Sequence, residues 1–201
     1  MTWMQLIFNL KVQLFPTEQQ AQCFQECTSE YQRLCDIVSD WFYYKHHLKA
    51  SRKEFNSEMY YRLREISPTI NSAMIQLTYL SVARQYHQAN QVFKQKACTE
   101  PLTKILKRPL SFQDSPLDYA YRCTCSFIKK NSLISMSVLN KCITMPSSIE
   151  QDLELLNAIT HFGNGQLVSI IDKWFLVIPI TVDKEKLPKG SDFSPAADAM
   201  P

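Results

Sequence analysis

The side chains in this sequence best suited to chemistry are cations interleaved with tyrosines. Lys45, Lys49, Arg52, Lys53, Arg62 and Arg64 share the stretch 43–64 with Tyr43, Tyr44, Tyr60 and Tyr61. Ammonium and guanidinium groups pair with phosphates, and tyrosine rings stack on exposed bases for about 1–3 kcal/mol each, so this pattern points to polynucleotide contact. It also reads as the solvated face of a helix, the commoner fate of clustered charge. A second group, Lys94, Lys96, Lys104, Lys107 and Arg108, is opposed only by Glu100. It reads either as a clamp on a phosphate backbone or as a linker kept in water by its lysines.

Other reactive constellations are weaker. Cysteines stand at 23, 27, 35, 98, 123, 125 and 142 with no CxxC pair, so neither a disulfide framework nor a zinc ribbon is suggested. His46-His47 with Cys35 offers ligand chemistry. Cys123 with Cys125 does so too, the two being expected on one side of a strand. No second pair stands at usable spacing, so core packing is the expectation and no metal or cofactor is called for. Glu26 and Glu30, like Asp36 and Asp40, are one helical turn apart and read as solvated acids.

At 201 residues and 45% hydrophobic composition, the chain can bury one good core or two small ones. No run approaches the roughly 18–20 apolar residues of a membrane span, and the N-terminus lacks the order of a signal peptide. A soluble cytoplasmic protein with no membrane partner is expected, and the cysteine usage suits a reducing compartment. The net charge of +3 is uneven: residues 1–110 hold 14 Lys and Arg against 9 Asp and Glu, and residues 111–201 hold 8 against 10. The first half is therefore where phosphates are expected.

The elements that would position these groups follow from periodicity. Leu6, Phe8, Leu10, Val12 and Leu14 alternate with Ile7, Asn9, Lys11 and Gln13, which predicts a half-buried strand. Pro16 ends it, and Thr17 with Gln20 forms a capping-box pattern that starts a helix. Ala21, Phe24, Cys27, Tyr31, Leu34, Cys35, Val38, Trp41 and Phe42 make one stripe and predict that this helix runs to about Leu48. Met59, Leu63 and Ile66 predict a second helix over Ser57–Ile66, closed by Ser67-Pro68. Ile75, Tyr79, Val82, Tyr86, Ala89 and Phe93 predict a third from Asn71 or Ser72.

Beyond Lys96 the texture turns to short runs of β-formers punctuated by Pro101, Pro109 and Pro116. Strands are predicted over Leu110–Gln113, Tyr119–Ser126, Leu133–Leu139, Lys141–Met145, Gln166–Ile171 and Trp174–Val182. A short helix is predicted over Glu150–Ala158, a turn at Phe162–Gly165 and a tight return at Asp172-Lys173. The lone first strand needs partners for its edge groups, which it would find among the later strands. The expected fold class is therefore α+β: an antiparallel β-barrel built from residues 1–15 and 109–183, an inserted helical bundle over 16–108, and a linker or unstructured tail over 184–201.

The alternating strand and the following Leu14-Phe15-Pro16-Thr17-Glu18-Gln19-Gln20 resemble the N-terminus of the TnpB family, transposon-encoded RNA-guided nucleases related to compact type V CRISPR effectors. The helix with Tyr31 and Trp41, the Ser72–Phe93 helix and the closing Lys173-Trp174-Phe175-Leu176-Val177 are similar to family landmarks, so the resemblance spans about residues 5–183. It implies a wedge barrel of oligonucleotide-binding type with an inserted recognition lobe, together holding guide RNA and target DNA. In that family a RuvC-like nuclease domain with catalytic acids and a zinc ribbon follows the segment similar to Trp174–Val182. Here the sequence stops after Lys184–Pro201, so the expectation is a module that binds RNA and DNA through phosphate contacts without cutting them. Cleavage would come only with a separate RuvC-bearing chain. A structural or regulatory protein that keeps the fold without nucleic-acid affinity is the alternative expectation.

Overall fold

The computed structural model describes residues 5–45, 48–95, 102–128, 132–149 and 157–183. Alternation produces the first strand, β1 (Gln5–Leu14), with Leu10, Val12 and Leu14 buried on one face and Ile7 exposed on the other. Pro16 has no amide hydrogen to extend the ladder. Thr17 then caps helix α1 (Glu18–Tyr44): its hydroxyl accepts from the Gln20 N–H at 3.3 Å, and the Gln20 carboxamide accepts from the Thr17 N–H at 3.0 Å. The stripe from Phe24 to Phe42 is buried as its spacing requires, and Ala21 is half-buried. The helix stops at Tyr44, short of the expected Leu48. Leu48 adopts a left-handed φ of 68° and its N–H reaches back to the Phe42 carbonyl at 3.0 Å, a closure typical of helix ends.

The second helical run begins earlier than the expected Ser57. Ser51 and Glu54 form another capping box and open α2 (Arg52–Phe55); a π-helical turn over Asn56–Tyr60 leads into α3 (Tyr61–Ile66). Helix α4 (Ser72–Gln95) buries Ile75, Val82 and Tyr86 and leaves Tyr79, Ala89 and Phe93 half-buried. A single turn, α5 (Leu102–Ile105), follows.

Leu110–Gln113 is not the strand its composition predicts. Helix side chains satisfy its backbone instead: Leu110 N–H donates to the Tyr86 hydroxyl at 3.2 Å, the Ser39 hydroxyl donates to the Leu110 carbonyl at 2.7 Å, and Phe112 N–H donates to Asp36 Oδ1 at 2.7 Å. The predicted strand over Tyr119–Ser126 is two strands, β2 (Leu117–Ala120) and β3 (Cys125–Ile128). The turn between them is fixed by Thr124 Oγ1, which accepts from the Ala120 N–H at 2.8 Å. Strands β4 (Leu133–Val138) and β5 (Lys141–Pro146) form the expected hairpin.

The expected reversal at Phe162–Gly165 is instead a bend in one continuous edge. Strands β6 (Ile159–Phe162) and β7 (Asn164–Ile170) both pair antiparallel with β8 (Lys173–Asp183), and Gly163 N–H donates to the Pro179 carbonyl at 2.7 Å. A Cβ at position 163 would stand 2.8 Å from Pro179 Cγ, which is why glycine occupies the bend. The true reversal uses Ile171 and Asp172, both at positive φ, one residue before the expected Asp172-Lys173.

All ten residues of β1 pair with β8, from Gln5 opposite Asp183 to Leu14 opposite Trp174. The helices therefore leave from and return to one β structure. That structure is α+β and antiparallel, but it is not the closed barrel expected: a five-stranded sheet, β1-β8-β7-β2 with β6 also on β8, stands beside a three-stranded sheet, β3-β4-β5. The sheets meet at two corners. One is the covalent turn from β2 to β3; the other is a single bridge from Leu14 to Ser147, extended by Phe15 N–H to the Pro146 carbonyl at 3.0 Å. One bridge in place of a full ladder leaves the ring open.

The helices and both sheets share one apolar cluster, from Val12 and Leu34 through Met74 to Tyr119 and Ile134. A buried polar lock adds to it. Asp118, 2% exposed on β2, accepts from the Ser81 hydroxyl, from Arg84 at 2.6 Å and from Gln166 at 3.1 Å, and Tyr31 and Ser81 share a hydrogen bond at 2.8 Å. Burial pushes the Tyr31 hydroxyl and the Cys35 thiol well above their ordinary pKa ranges, so both stay neutral in the core. Of the predicted Glu150–Ala158 helix, residues 150–156 lie outside the described residues, as does the stretch 184–201 expected to be a linker. Among the described residues no helix is long and apolar enough to cross a membrane.

Candidate nucleic-acid interface

The first basic run falls on the end of α1, the connection after it, and the helical run that Ser51 caps. Three of its cations have structural partners. Lys45 pairs with Glu58 at 2.7 Å, and Glu58 also accepts from the Trp41 indole at 3.0 Å, tying the π-helical turn to the end of α1. Arg64 donates to the Ile70 carbonyl at 3.0 Å, and Arg52 makes a long contact of 3.4 Å to Gln76 Oε1. Lys49, Lys53 and Arg62 are exposed and make no ion pair or hydrogen bond among the described residues.

The tyrosines divide in the same way. Tyr43 is half-buried and its hydroxyl donates to the Leu106 carbonyl at 2.7 Å; Tyr60 is half-buried against the core. Their chain neighbours project outward: Tyr44 is 69% exposed, edge-on to Tyr43 at 5.0 Å, and Tyr61 is 72% exposed, edge-on to Tyr60 at 5.2 Å. A ring held by its neighbour yet open to water is suited to stacking, because little side-chain freedom is left to lose. In each pair sequence alone does not say which ring is outside; the helical phase relative to the core decides it.

The second basic group is brought towards the first by one contact. The bond from Tyr43 to Leu106 sets the end of α1, with Tyr44 and Lys45, beside the segment that carries Lys107 and Arg108, both exposed. Lys94 is exposed on the last turn of α4, Lys104 is exposed on α5, and Lys96 lies outside the described residues. Arg108 also lines an open cleft of about 690 Å³ with Gln85, Ser111, Gln113, Asp114 and Ser115. Gln85 donates to the Ser115 hydroxyl there at 2.7 Å, so the cleft is polar and lies against α4.

The other constellations come apart. Cys123 is exposed in the turn and Cys125 is buried in β3, so they do not share a strand face as expected, because the chain has not yet resumed extended geometry at 123. Burial pushes the Cys125 thiol up to about 12, and does the same to Cys27, so neither supplies a thiolate at neutral pH. Residues His46 and His47 lie outside the described residues. Among the described residues no three His, Cys, Asp or Glu side chains are grouped to hold a metal ion. Glu30 is paired with Arg33 at 2.7 Å, and the hydrogen bond from Arg33 holds its carboxyl below the usual range. Asp36 is not simply solvated, since it holds Phe112 as described above. No protein-family model matches the chain, and no curated protein matches it.

Proposed function

We propose that this chain is a nucleic-acid-binding module of the kind found at the N-terminus of TnpB-like RNA-guided nucleases, holding RNA and DNA by their phosphates. The observation that carries the reading is the Tyr43 to Leu106 hydrogen bond, which sets Tyr44 and Lys45 at the end of α1 beside the segment that carries Lys107 and Arg108, about sixty residues on in sequence. Exposed cations at Lys49, Lys53, Arg62, Lys107 and Arg108 supply sequence-independent attraction, and Tyr44 and Tyr61 supply exposed rings. The topology adds support, since β1 completes a sheet with β8 across a helical excursion, as the resemblance implies. In this reading the two sheets with their single Leu14 to Ser147 bridge are an opened variant of an oligonucleotide-binding wedge. Guide pairing, not side chains, would read sequence in such an assembly, and a separate RuvC-bearing chain would do any cutting.

The test is a fluorescence-anisotropy titration of the full chain with a structured RNA over a series of salt concentrations. With about five phosphate contacts, log K should fall against log salt with a slope of roughly −3 to −5. Replacing Lys49, Arg52 and Lys53 together by glutamate should weaken binding at least tenfold and flatten that slope. An absence of measurable affinity at low salt refutes the proposal and leaves the structural or regulatory reading, which the internal engagement of Lys45 and Arg64 favours.

A further inference from the structure

The corner where β2 turns into β3 carries an aromatic seam that the basic helical segments do not include. Tyr121 stacks on Phe162 with ring centroids 3.9 Å apart and planes 25° from parallel. Phe127 lies 5.7 Å from Tyr121 and 6.2 Å from Phe162, and the Arg122 guanidinium sits over the Tyr121 ring at 5.9 Å. The three rings come from the turn after β2, from β3 and from β6, and each keeps part of its surface accessible. Rings that served packing alone would be buried outright, as Tyr119 on β2 is.

Charge gives the seam a direction. The turn after β2 and the strands β3 to β7 contain Arg122 and Lys141 and not one Asp or Glu. The nearest acid of the second half, Asp118 on β2, is buried and already paired with Arg84. Arg122 itself holds a left-handed φ of 64°, its N–H donating to the Cys125 carbonyl at 2.7 Å. Glycine or asparagine would fit that backbone with less strain, and an exposed arginine kept there puts a cation beside the ring stack.

We propose that this seam is a second contact surface, for single-stranded polynucleotide, with Phe127 and Phe162 meeting bases and Arg122 meeting the backbone. A duplex hides its base faces inside the stack, whereas an unpaired strand offers them, so half-exposed rings beside the exposed Arg122 favour the single strand. The inference rests on the polynucleotide reading above. It differs from it in placing the base contacts on the sheets and the shape- and phosphate-directed contacts on the helices.

The experiment uses the full chain with a labelled oligouridine of about 15 nucleotides, a duplex of the same length, and a 4-thiouridine oligonucleotide for photocrosslinking mapped by mass spectrometry. Arg122→Glu and Phe127→Leu, both at positions that keep accessible surface, should each weaken oligouridine binding about fivefold or more while changing duplex binding less than twofold. Crosslinks should fall on peptides containing Tyr121, Phe127 or Phe162. If wild-type protein binds oligouridine but both variants match it and crosslinks map only to residues 43–64, the seam is structural and this inference is wrong while the helical reading stands. If wild-type protein binds neither probe, both fall together. Circular dichroism melting of each variant separates lost contact from lost fold.

Discussion

Arg84 and Asp118 give the sharpest test of how the helical block is fastened to the sheet. Asp118 is nearly inaccessible and Arg84 is 41% exposed, so the two truncations are not equivalent. Arg84→Ala leaves a buried carboxylate with only neutral donors, Ser81 and Gln166. Breaking a buried pair costs about 3–5 kcal/mol, and those two donors place this case near the low end, about 3 kcal/mol. Asp118→Ala lets Arg84 turn into water and leaves Ser81 still bonded to Tyr31, so the loss is close to one charge-assisted bond, about 2 kcal/mol. In the double variant no charge is stranded, and it should cost no more than Asp118→Ala alone, a coupling of about 3 kcal/mol. Equilibrium urea unfolding followed by far-ultraviolet circular dichroism measures all three. Additive losses, or an Arg84→Ala variant within about 0.5 kcal/mol of the parent, would refute the reasoning.

Three further outcomes follow from local geometry. Gly165→Ala would set a Cβ 2.7 Å from Ile178 Cγ1 and 3.1 Å from Leu176 Cδ1 inside the sheet interior, so overpacking should cost about 1–3 kcal/mol in a denaturant titration; a neutral result would mean the strands can separate there. Thr17→Ala removes the hydroxyl half of the α1 capping box and should lower stability by about 1 kcal/mol, read as a fall in melting temperature, whereas an unchanged melt contradicts the cap. Cys27 and Cys125 have pKa values raised from 9.0 to about 12 in the folded chain, so the unfolded state loses its thiol protons first as pH climbs. The stability they contribute is whole below pH 9 and is lost between there and about pH 12, at roughly 1.4 kcal/mol per pH unit for each thiol. Urea midpoints that stay flat from pH 8.5 to 10.5, roughly the window's lower half, would oppose this.

What could be read from the sequence was whatever depends on a single buried face. The stripe from Phe24 to Phe42 and the alternation of Leu10, Val12 and Leu14 each report one apolar side, and both stand as spacing requires. Ser51 and Glu54 carry the same start signal as Thr17 and Gln20, but apolar spacing passes over it because Phe55 is the first buried residue of that run. Leu110–Gln113 has strand composition, yet its hydrogen-bond partners are Ser39, Tyr86 and Asp36, distant side chains that no local pattern announces. Tyr43 and Tyr44 are the same residue type one step apart on a helix, so identity and proximity say nothing about which is anchored to Leu106 and which faces water.

The pairing of first strand with last sets how these surfaces relate. Lengthening a loop costs little, about 0.6 kcal/mol per doubling, so the sheet can carry a helical excursion of this size without large penalty from closure. Such a loop would swing freely if it met the sheet only at its ends. Here Phe24 packs on Trp174 at 5.2 Å and the Asp118 lock joins α4 to β2, so the excursion is fastened along its length. The basic end of the helices and the aromatic seam therefore belong to one packed body, not to two tethered ones. On the proposed reading, a polynucleotide that reaches both surfaces would make its second contact intramolecularly, at an effective concentration set by a rigid span. Loosening the lock with Arg84→Ala should then weaken a long RNA more than a short one even though Arg84 touches neither surface, while equal weakening of both lengths would mean that the two surfaces act independently.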